Sequence, residues 1–170
     1  MMMKIVKYGD PVLRKKAQKI TRIDEHVVKL AEGMISVLHA AKGIGLAANQ
    51  VGVQEKLCVI DTGRGDKKGE VLCLINPEVT AFEGSAVFEE GCLSFPEIFA
   101  EIDRPAKVTV SYKDLKGKDK EVTAEGILAR VLQHEIDHLN GVLFVDRMSR
   151  IKHMLLSKRL KALEKETRGK

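Results

Sequence analysis

The spacing of apolar and polar positions predicts three helices along the chain. In residues 24–41 apolar side chains recur every three or four positions, which is the pattern of an amphipathic helix with one buried face. Residues 125–140 and 149–166 show the same period, and Gly141 follows the second helix as a C-cap. The three apolar stripes consist of Val27, Leu30, Ala31, Met34, Ile35, Leu38 and Ala41, then Ile127, Leu128, Val131 and Leu132, and finally Ile151, Leu155, Leu156, Leu160 and Leu163.

Short apolar stretches between the first two helices predict strands. Residues 57–61 and 71–75 are apolar runs, and the polar segment 63–69 is predicted as the turn between them. A hairpin is predicted further on, where apolar residues alternate with polar ones on both sides of Gly117. Its apolar positions are Val108, Val110 and Tyr112 on one side and the stretch around Val122 on the other. Gly43 and Gly45 are expected to stop the first helix and to open a tight loop.

The order of these elements predicts one α+β domain. A chain of 170 residues is long enough to close a hydrophobic core, and it shows no linker, repeat or low-complexity tract. We expect short antiparallel strands packed around the central helix, with an N-terminal helix before them and a basic C-terminal helix after them. In this division residues 1–148 form the catalytic domain, and residues 149–170 form a helix packed on the same domain.

The positive charge is confined to the C-terminus. The chain carries a formal net charge of +5, but residues 147–170 contain nine Lys or Arg against two Glu. The other residues are slightly acidic, with 20 basic and 22 acidic side chains. A nucleic-acid-binding domain would carry basic charge over its body, so we expect no DNA partner.

The chain also lacks the marks of a membrane or secreted protein. No apolar run approaches the roughly 20 residues that span a bilayer, and the N-terminus has no apolar signal segment. Three cysteines, Cys58, Cys73 and Cys92, are too few for a disulfide scaffold. These features predict a cytoplasmic location without membrane contact.

The strongest chemical signal is His134-Glu135-Ile136-Asp137-His138 on the second helix. Residues four apart lie on one helix face, so both imidazoles can bind one metal ion. Glu135 stands beside the first histidine, where it can take a proton from an attacking water and pass it to a leaving amine. Two surface histidines on a charged helix are the alternative, but the neighbouring Val131, Leu132, Ile136 and Leu139 indicate burial.

A catalytic metal site normally needs a third protein ligand. Downstream candidates are Asp146, His153, Glu164 and Glu166, and none has the spacing of a metzincin protease. Upstream, Cys92 lies in a glycine-flanked, turn-like segment where a metal would stabilise its thiolate. Cys58 and Cys73 lie inside apolar runs, and simple packing explains them better.

Three segments together resemble the peptide deformylases. That family carries a Gly-Φ-Gly-Φ-Ala-Ala-x-Gln loop, a Glu-Gly-Cys-Leu-Ser segment and a Gln-His-Glu-x-Asp-His-Leu helix. This chain has all three in the same order. They are Gly43-Ile44-Gly45-Leu46-Ala47-Ala48-Asn49-Gln50, Glu90-Gly91-Cys92-Leu93-Ser94 and Gln133-His134-Glu135-Ile136-Asp137-His138-Leu139. The resemblance extends over about residues 5–148 and includes the flanking segments 9–14 and 141–144.

The resemblance implies the ligands, the metal and the catalytic groups. Cys92, His134 and His138 would bind one divalent metal, with Fe²⁺ expected and Zn²⁺, Ni²⁺ or Co²⁺ able to replace it. The Gln50 side-chain amide and the Leu93 backbone N–H would stabilise the developing oxyanion. Glu90, Asp137 and Arg104 are candidate partners for the outer nitrogen of a metal-bound histidine.

The resemblance also implies the reaction and the substrate. The enzyme would hydrolyse the formyl group from the N-terminal formylmethionine of nascent polypeptides, a step of N-terminal methionine processing. The substrate-binding residues would be Ile44, Gly45, Phe88, Gly91, Ile127 and Val131, and core packing is the alternative role for the apolar four. Arg130 stands where some relatives carry an aliphatic pocket residue, and Phe99 replaces an Arg seen in some bacterial relatives.

The basic C-terminal helix allows two interpretations. Its apolar stripe predicts packing on the domain, and its charges would then form a solvated face. The same charges could contact the ribosome, as the corresponding helix of some bacterial deformylases does.

Two other functions would use some of the same residues. A zincin-like metalloprotease would need a downstream third ligand, and Cys92 argues against it. A basic RNA-binding module with a structural metal would need a fourth Cys or His ligand and basic charge beyond the tail.

Overall fold

The protein is described by a computed structural model that covers residues 2–63 and 69–170. Residues 64–68, the middle of the predicted turn 63–69, lie outside the described part. The described residues form three α-helices and seven strands. The helices are α1 (Glu25–Ala40), α2 (Gly126–Leu139) and α3 (Arg150–Arg168). The strands are β1 (Gly45–Ala47), β2 (Leu57–Asp61), β3 (Val71–Glu83), β4 (Ala86–Cys92), β5 (Phe95–Arg104), β6 (Lys107–Lys113) and β7 (Asp119–Glu125).

The predicted helices are confirmed, and their ends have local causes. The Asp24 side chain accepts a hydrogen bond from the Val27 N–H at the start of α1, and Ser149 caps α3 in the same way. Gly141 follows α2 in the left-handed conformation, with φ of 75°. The Gly141 N–H donates to the His138 carbonyl, and the Val142 N–H donates to the Asp137 carbonyl. These two hydrogen bonds form a Schellman motif, which ends the helix.

Two antiparallel sheets hold the strands. Five strands form one sheet in the order β1-β2-β3-β6-β7, and β4 and β5 pair separately as a two-stranded sheet. The hairpin predicted around Gly117 is β6–β7. Two expectations were wrong. Gly45 begins a strand instead of opening a loop, and the segment expected to be turn-like is mostly the end of β4. The strand β1 is too short to show an alternation, and β4 lines a cavity with apolar and polar residues mixed.

The larger sheet lies between α1 and α2. Along β2, Leu57 and Val59 pack with α1, whereas Cys58 and Ile60 pack with α2. This alternation follows from the two-residue period of a strand. A third cluster joins β5 to the C-terminal region through Phe95, Ile102, Phe144 and Leu160, among others. The α2 helix is therefore covered on one side by the sheet.

The C-terminal helix packs by a narrower face than its pattern predicted. Leu160 is buried, and Leu156 and Leu163 pack beside it. Ile151 and Leu155 are each 73% exposed, so including them in the packed stripe was wrong. At 100° per residue, Ile151 lies about 180° from Leu160 around the helix axis. The predicted stripe combined two opposite faces of α3.

None of the described helices is both long enough and apolar enough to cross a membrane. The assignment of residues 1–148 to the catalytic domain and of 149–170 to a helix packed on it stays a prediction.

Candidate active site

Three side chains from two distant segments converge at one end of α2. His134 and His138 lie one turn apart on the helix, and Cys92 ends strand β4. One ligand atom from each lies within 4.8 Å of the others, and the Cys92 Sγ is 3.3 Å from the His138 Nε2. Among the Cys, His, Asp and Glu side chains of residues 2–63 and 69–170, these three form the group whose spacing could hold a metal ion.

The donor atoms fit a divalent metal. The Nδ1 of His134 is 2.9 Å from the Glu90 Oε1, which leaves its Nε2 for the cluster. A thiolate and two imidazoles form a ligand set that suits zinc or iron. Asp146, a downstream candidate for the third ligand, is engaged elsewhere, because its carboxylate oxygens accept hydrogen bonds from the Arg14 guanidinium at 2.5 and 3.0 Å. His153 is exposed on α3.

A buried ionic network supports His134 from behind. Glu90 accepts hydrogen bonds from the Arg104 Nε and Nη2, at 2.6 and 3.0 Å, besides its contact with His134. Burial alone would raise the pKa of Glu90, but the bonds to His134 and Arg104 lower that pKa well below its usual range. Asp137 lies one step further out, where it pairs with Arg104 and Arg147 and contacts neither imidazole. Among the three candidates, Glu90 is thus the direct partner of a histidine.

The two histidines respond differently to this environment. Burial would lower the pKa of His134, but hydrogen bonds to Cys92 and Glu90 outweigh burial and raise it to about 10. Burial lowers the pKa of His138 well below its usual value, and the nearby positive charges of His134 and Arg104 lower it further. The acidic groups around His134 therefore favour a positive charge at this position, which is consistent with a cation site.

Glu135 is buried beside the cluster and faces β1. Burial raises its pKa to about 7, and its Oε2 has no hydrogen-bond partner in the described part of the chain. Gly45 leaves room for this carboxylate, since a Cβ there would lie 2.8 Å from the Glu135 Oε1 and 2.7 Å from a Val131 methyl. A buried carboxyl with a pKa near neutrality can both accept and donate a proton.

Gln50 is oriented by two sets of hydrogen bonds. Its Oε1 accepts the Ala47 N–H at 2.9 Å, and this fixes which end of the amide faces the metal ligands. The Nε2 therefore faces the Ser94 Oγ at 3.2 Å and the Cys92 Sγ at 3.4 Å. The N–H donor of the amide is directed at the ligand cluster.

An apolar cavity of about 680 Å³ opens above these groups. All six predicted substrate-binding residues line it, together with Gln50, Cys92, Leu93, His134 and Glu135. Ile44, Phe88 and Ile127 are 43%, 50% and 40% exposed, so they are walls of the cavity and not core. Val131 also packs against the core cluster of α2. Phe99 lines the mouth, close above Gly91.

Two residues near the site were not identified from the sequence. The buried Asn49 side chain donates to the His138 carbonyl and so ties the Gln50 segment to the end of α2. Lys7 lines the cavity and donates to the Leu93 carbonyl at 2.8 Å. Neither position carries a local signal, because each contact joins segments more than 80 residues apart in the chain.

Comparison with known proteins gives a consistent result. The family model described as polypeptide deformylase matches residues 2–154. A peptide deformylase of Caldanaerobacter subterraneus is 51% identical over 146 residues, which cover 86% of this chain and 89% of the relative. One from Thermotoga neapolitana is 47% identical over 163 residues, covering 95% and 96%.

Solved structures show the same similarity. The crystal structure of a peptide deformylase from Legionella pneumophila matches with a TM-score of 0.89 and 43% identity, over 100% of this chain and 99% of that one. A Synechococcus elongatus peptide deformylase matches with a TM-score of 0.87 and 42% identity, over 92% and 87%. The expected α+β architecture is confirmed.

Proposed function

The chain belongs to the peptide deformylase family, and from this premise we propose that it hydrolyses the N-terminal formyl group of formylmethionyl nascent polypeptides and releases formate. The observation that supports the proposal most is the cluster of Cys92, His134 and His138, which adjoins an apolar cavity that Gln50 and Glu135 also line. The two alternatives, a zincin-like protease and a basic RNA-binding module, are not favoured. The candidate third ligand, Cys92, precedes the two histidines in the chain, whereas a zincin-like protease would need one that follows them.

In this proposal Cys92, His134 and His138 hold one divalent metal per chain, with Fe²⁺ in the cell and Zn²⁺, Ni²⁺ or Co²⁺ as possible substitutes. The bound metal would supply Lewis-acid chemistry, polarising the formyl carbonyl and activating water. Glu90 holds the His134 ring in the orientation that presents its Nε2 to the cluster.

Glu135 carries the proton in the proposed reaction. Its carboxylate takes a proton from water as the water oxygen bonds to the formyl carbon. The protonated carboxyl then gives that proton to the departing α-amine as the C–N bond breaks. A pKa raised to about 7 by burial suits both steps at neutral pH.

Gln50 and Leu93 stabilise the negative charge that develops on the formyl oxygen. The Gln50 Nε2 is already directed at the ligand cluster, because its Oε1 is engaged by Ala47. The Leu93 backbone N–H is proposed as the second donor. Preorganised donors of this kind do not have to reorient during the reaction.

The cavity walls suit an unbranched apolar side chain. Ile44, Phe88, Ile127 and Val131 would surround the methionine, and Gly45 and Gly91 would contact the peptide backbone. Both glycines lie on strands with an unpaired edge among the described residues, since β1 pairs with β2 alone and β4 with β5 alone. An extended peptide could add to these edges.

The decisive assay measures formate release from formyl-Met-Ala-Ser. Metal-loaded protein should release formate, chelated protein should not, and added Fe²⁺, Ni²⁺ or Zn²⁺ should restore the activity. Acetyl-Met-Ala-Ser is the matched control substrate, and it should react poorly because the acetyl methyl group would crowd the metal site. Absence of formate with every metal tried would disprove the proposal.

A weaker part of the proposal concerns the ribosome. Lys152, Lys158, Lys161 and Lys165 are exposed on α3 and could contact ribosomal RNA. Replacing all four by Glu should abolish co-sedimentation with ribosomes while formate release is retained, and co-sedimentation that survives would exclude docking by this helix. The proposed substrate also places the enzyme in the cytoplasm.

A further inference from the structure

Arg130 is a buried arginine that the proposed reaction does not use. It lies on α2 one turn before His134, and it is only 8% exposed although it also lines the cavity. Its side chain points towards the β4–β5 hairpin, where the Phe88 wall of the cavity is located. A buried guanidinium is stable only when its N–H groups are paired, so its partners indicate what it holds.

The partners of Arg130 lie on both strands of the hairpin. The Nη2 donates to the Ala86 carbonyl on β4 at 2.7 Å, and the Nη1 donates to the Ile102 carbonyl on β5 at 2.8 Å. The Nη1 also pairs with the Glu90 carboxylate at 2.8 Å. One planar group thus holds two strands at fixed positions relative to α2.

Phe88 lies at the centre of this arrangement. It stands between Ala86 and Glu90 on the same face of β4, and its register partner on β5 is Ile102. The Arg130 guanidinium carbon is 5.2 Å from the centroid of the Phe88 ring, within the range of a cation–π contact. The ring is half-exposed in the cavity.

The hairpin depends on such side-chain contacts because no strand pairing joins it to the larger sheet among the described residues. Towards α2 it is held by four polar contacts: the Arg130 fork, the Glu90–His134 bond, the Arg104–Asp137 ion pair and the Cys92–His138 contact. The last three act on the end of the hairpin near Cys92 or on its base. Among the four, the Arg130 fork is the one that contacts the Phe88 ring.

We propose that Arg130 is a specificity-determining positioning residue that fixes the β4–β5 hairpin and the Phe88 ring relative to α2. It thereby sets the width of the pocket for the first side chain of the substrate. This inference rests on the proposed deformylase function. The pocket is then shaped from behind its aromatic wall, by a buried guanidinium that pairs with Glu90 and with two backbone carbonyls.

The test compares substrate selectivity in four proteins: wild type, Arg130→Met, Phe88→Leu and the double variant. For each we would measure kcat/KM for formyl-Met-Ala-Ser and formyl-Phe-Ala-Ser on one preparation. The ratio of the two values is independent of metal content, since both substrates meet the same loaded fraction. Glu90 keeps its Arg104 partner in Arg130→Met, so the metal site retains its main support.

Arg130→Met should reduce the preference for methionine over phenylalanine by about five- to tenfold, with a larger change in KM than in kcat. Phe88→Leu should reduce it to a similar extent. In the double variant the two effects should not add, because Arg130 acts through Phe88. An unchanged ratio in Arg130→Met, or additive effects in the double variant, would overturn the proposal.

Arg147→Met is the matched control. Arg147 also pairs with a carboxylate of the buried network, Asp137, but it makes no hydrogen bond or ion pair with the hairpin and does not line the cavity beside Phe88. Arg147→Met should lower the free energy of unfolding without changing the selectivity ratio. A changed ratio in this variant would mean that removing any charged side chain of the network alters the pocket.

Hydrogen exchange separates this inference from the proposed function. Backbone amides of residues 86–92 should exchange faster in Arg130→Met, whereas those of β6 should not. This measurement needs no substrate, so it tests the hairpin attachment even if wild-type protein releases no formate. Unchanged protection of residues 86–92 would show that Arg130 does not hold the hairpin.

Discussion

The helices α2 and α3 use charged residues in opposite ways. In α2, ten of 14 residues are buried, and they include Arg130, His134, Glu135, Asp137 and His138. The α3 helix is longer, with 19 residues, but of its described residues Leu160 alone is buried. Both helices have an amphipathic pattern, so the pattern does not distinguish them.

The difference lies in what meets each charged side chain. Three buried charged or titratable side chains of α2, Arg130, His134 and Asp137, meet Glu90 or Arg104 from the hairpin, at distances of 2.7 to 2.9 Å. The ion pairs of α3 join neighbours on the same helix, such as Arg168 and Glu164, and among its described residues none of the charged side chains is buried. Arg159 and Arg168 reach other segments of the described chain only by donating to the carbonyls of Glu97 and Gly9. Burying charge is costly unless it is paired, so a helix with many buried charges indicates a functional site. Exposed charges carry little such information.

The largest effect is expected at Glu135. The change Glu135→Gln should lower kcat for formate release by about 10³-fold, because general acid–base catalysis contributes about 10²- to 10⁴-fold. The amide has nearly the same shape as the carboxyl but cannot carry the proton. Formate release and metal content would be measured on the same sample. A variant that keeps its metal and stays within tenfold of wild type would remove Glu135 from the reaction.

Glu90→Ala should have the next largest effect, on stability and on metal affinity. It removes the carboxylate shared by Arg104 and Arg130, and breaking a buried ion pair from one side costs about 3–5 kcal/mol. It also frees the outer nitrogen of His134, which should weaken metal binding by about 10- to 100-fold. Urea unfolding and competition with a chelator would measure the two effects.

The matched control for Glu90→Ala is Glu166→Ala on α3. Glu166 pairs with Lys170 at 3.6 Å, and both side chains are exposed. Its removal should change the free energy of unfolding by less than about 1 kcal/mol. Equal losses in the two variants would contradict the contrast between the helices.

The smallest effects concern two leucines of α3 and sharpen the comparison within that helix. Leu160→Ala removes a buried side chain and should cost about 2–4 kcal/mol of unfolding free energy. Leu155→Ala changes an exposed leucine five residues earlier and should cost less than about 0.5 kcal/mol. Urea unfolding of both variants checks the assignment. Similar losses would mean that the packed face of α3 includes Leu155.

The sequence predicted helices better than strands. The apolar stripes and the glycine after α2, Gly141, depend on residues close together in the chain, so the bounds of α1 and α2 could be placed closely. The strands β1, β4 and β5 were missed for different reasons. The strand β1 has three residues, too few for a period, and β5 alternates in burial from Ile98 to Arg104, a pattern that was overlooked. The strand β4 lines the cavity, and a cavity wall combines exposed apolar and buried polar residues, as Phe88 and Glu90 show, which hides its two-residue period.

The sequence named the central groups of the site and only some of the residues that support them. The four-residue spacing of His134 and His138 places both on one face of any helix, so the pair follows from local geometry. Glu90 was named as a candidate partner, and the structure places it against His134. Arg130 was noted only as a replacement for an aliphatic pocket residue, whereas it is buried beside Phe88 and holds two strands.

The sequence alone therefore determined the helix that carries two donor histidines, the acid beside them and, through resemblance, the family. Tertiary structure decided the rest. Cys92 meets His138 across 46 residues, Arg130 meets Ile102 across 28, and only part of the α3 stripe meets the domain. A helical period encodes which residues share a face, since that depends on backbone geometry shared by all helices. It does not encode which distant segment packs there, because that depends on the shapes and charges of both partners at once.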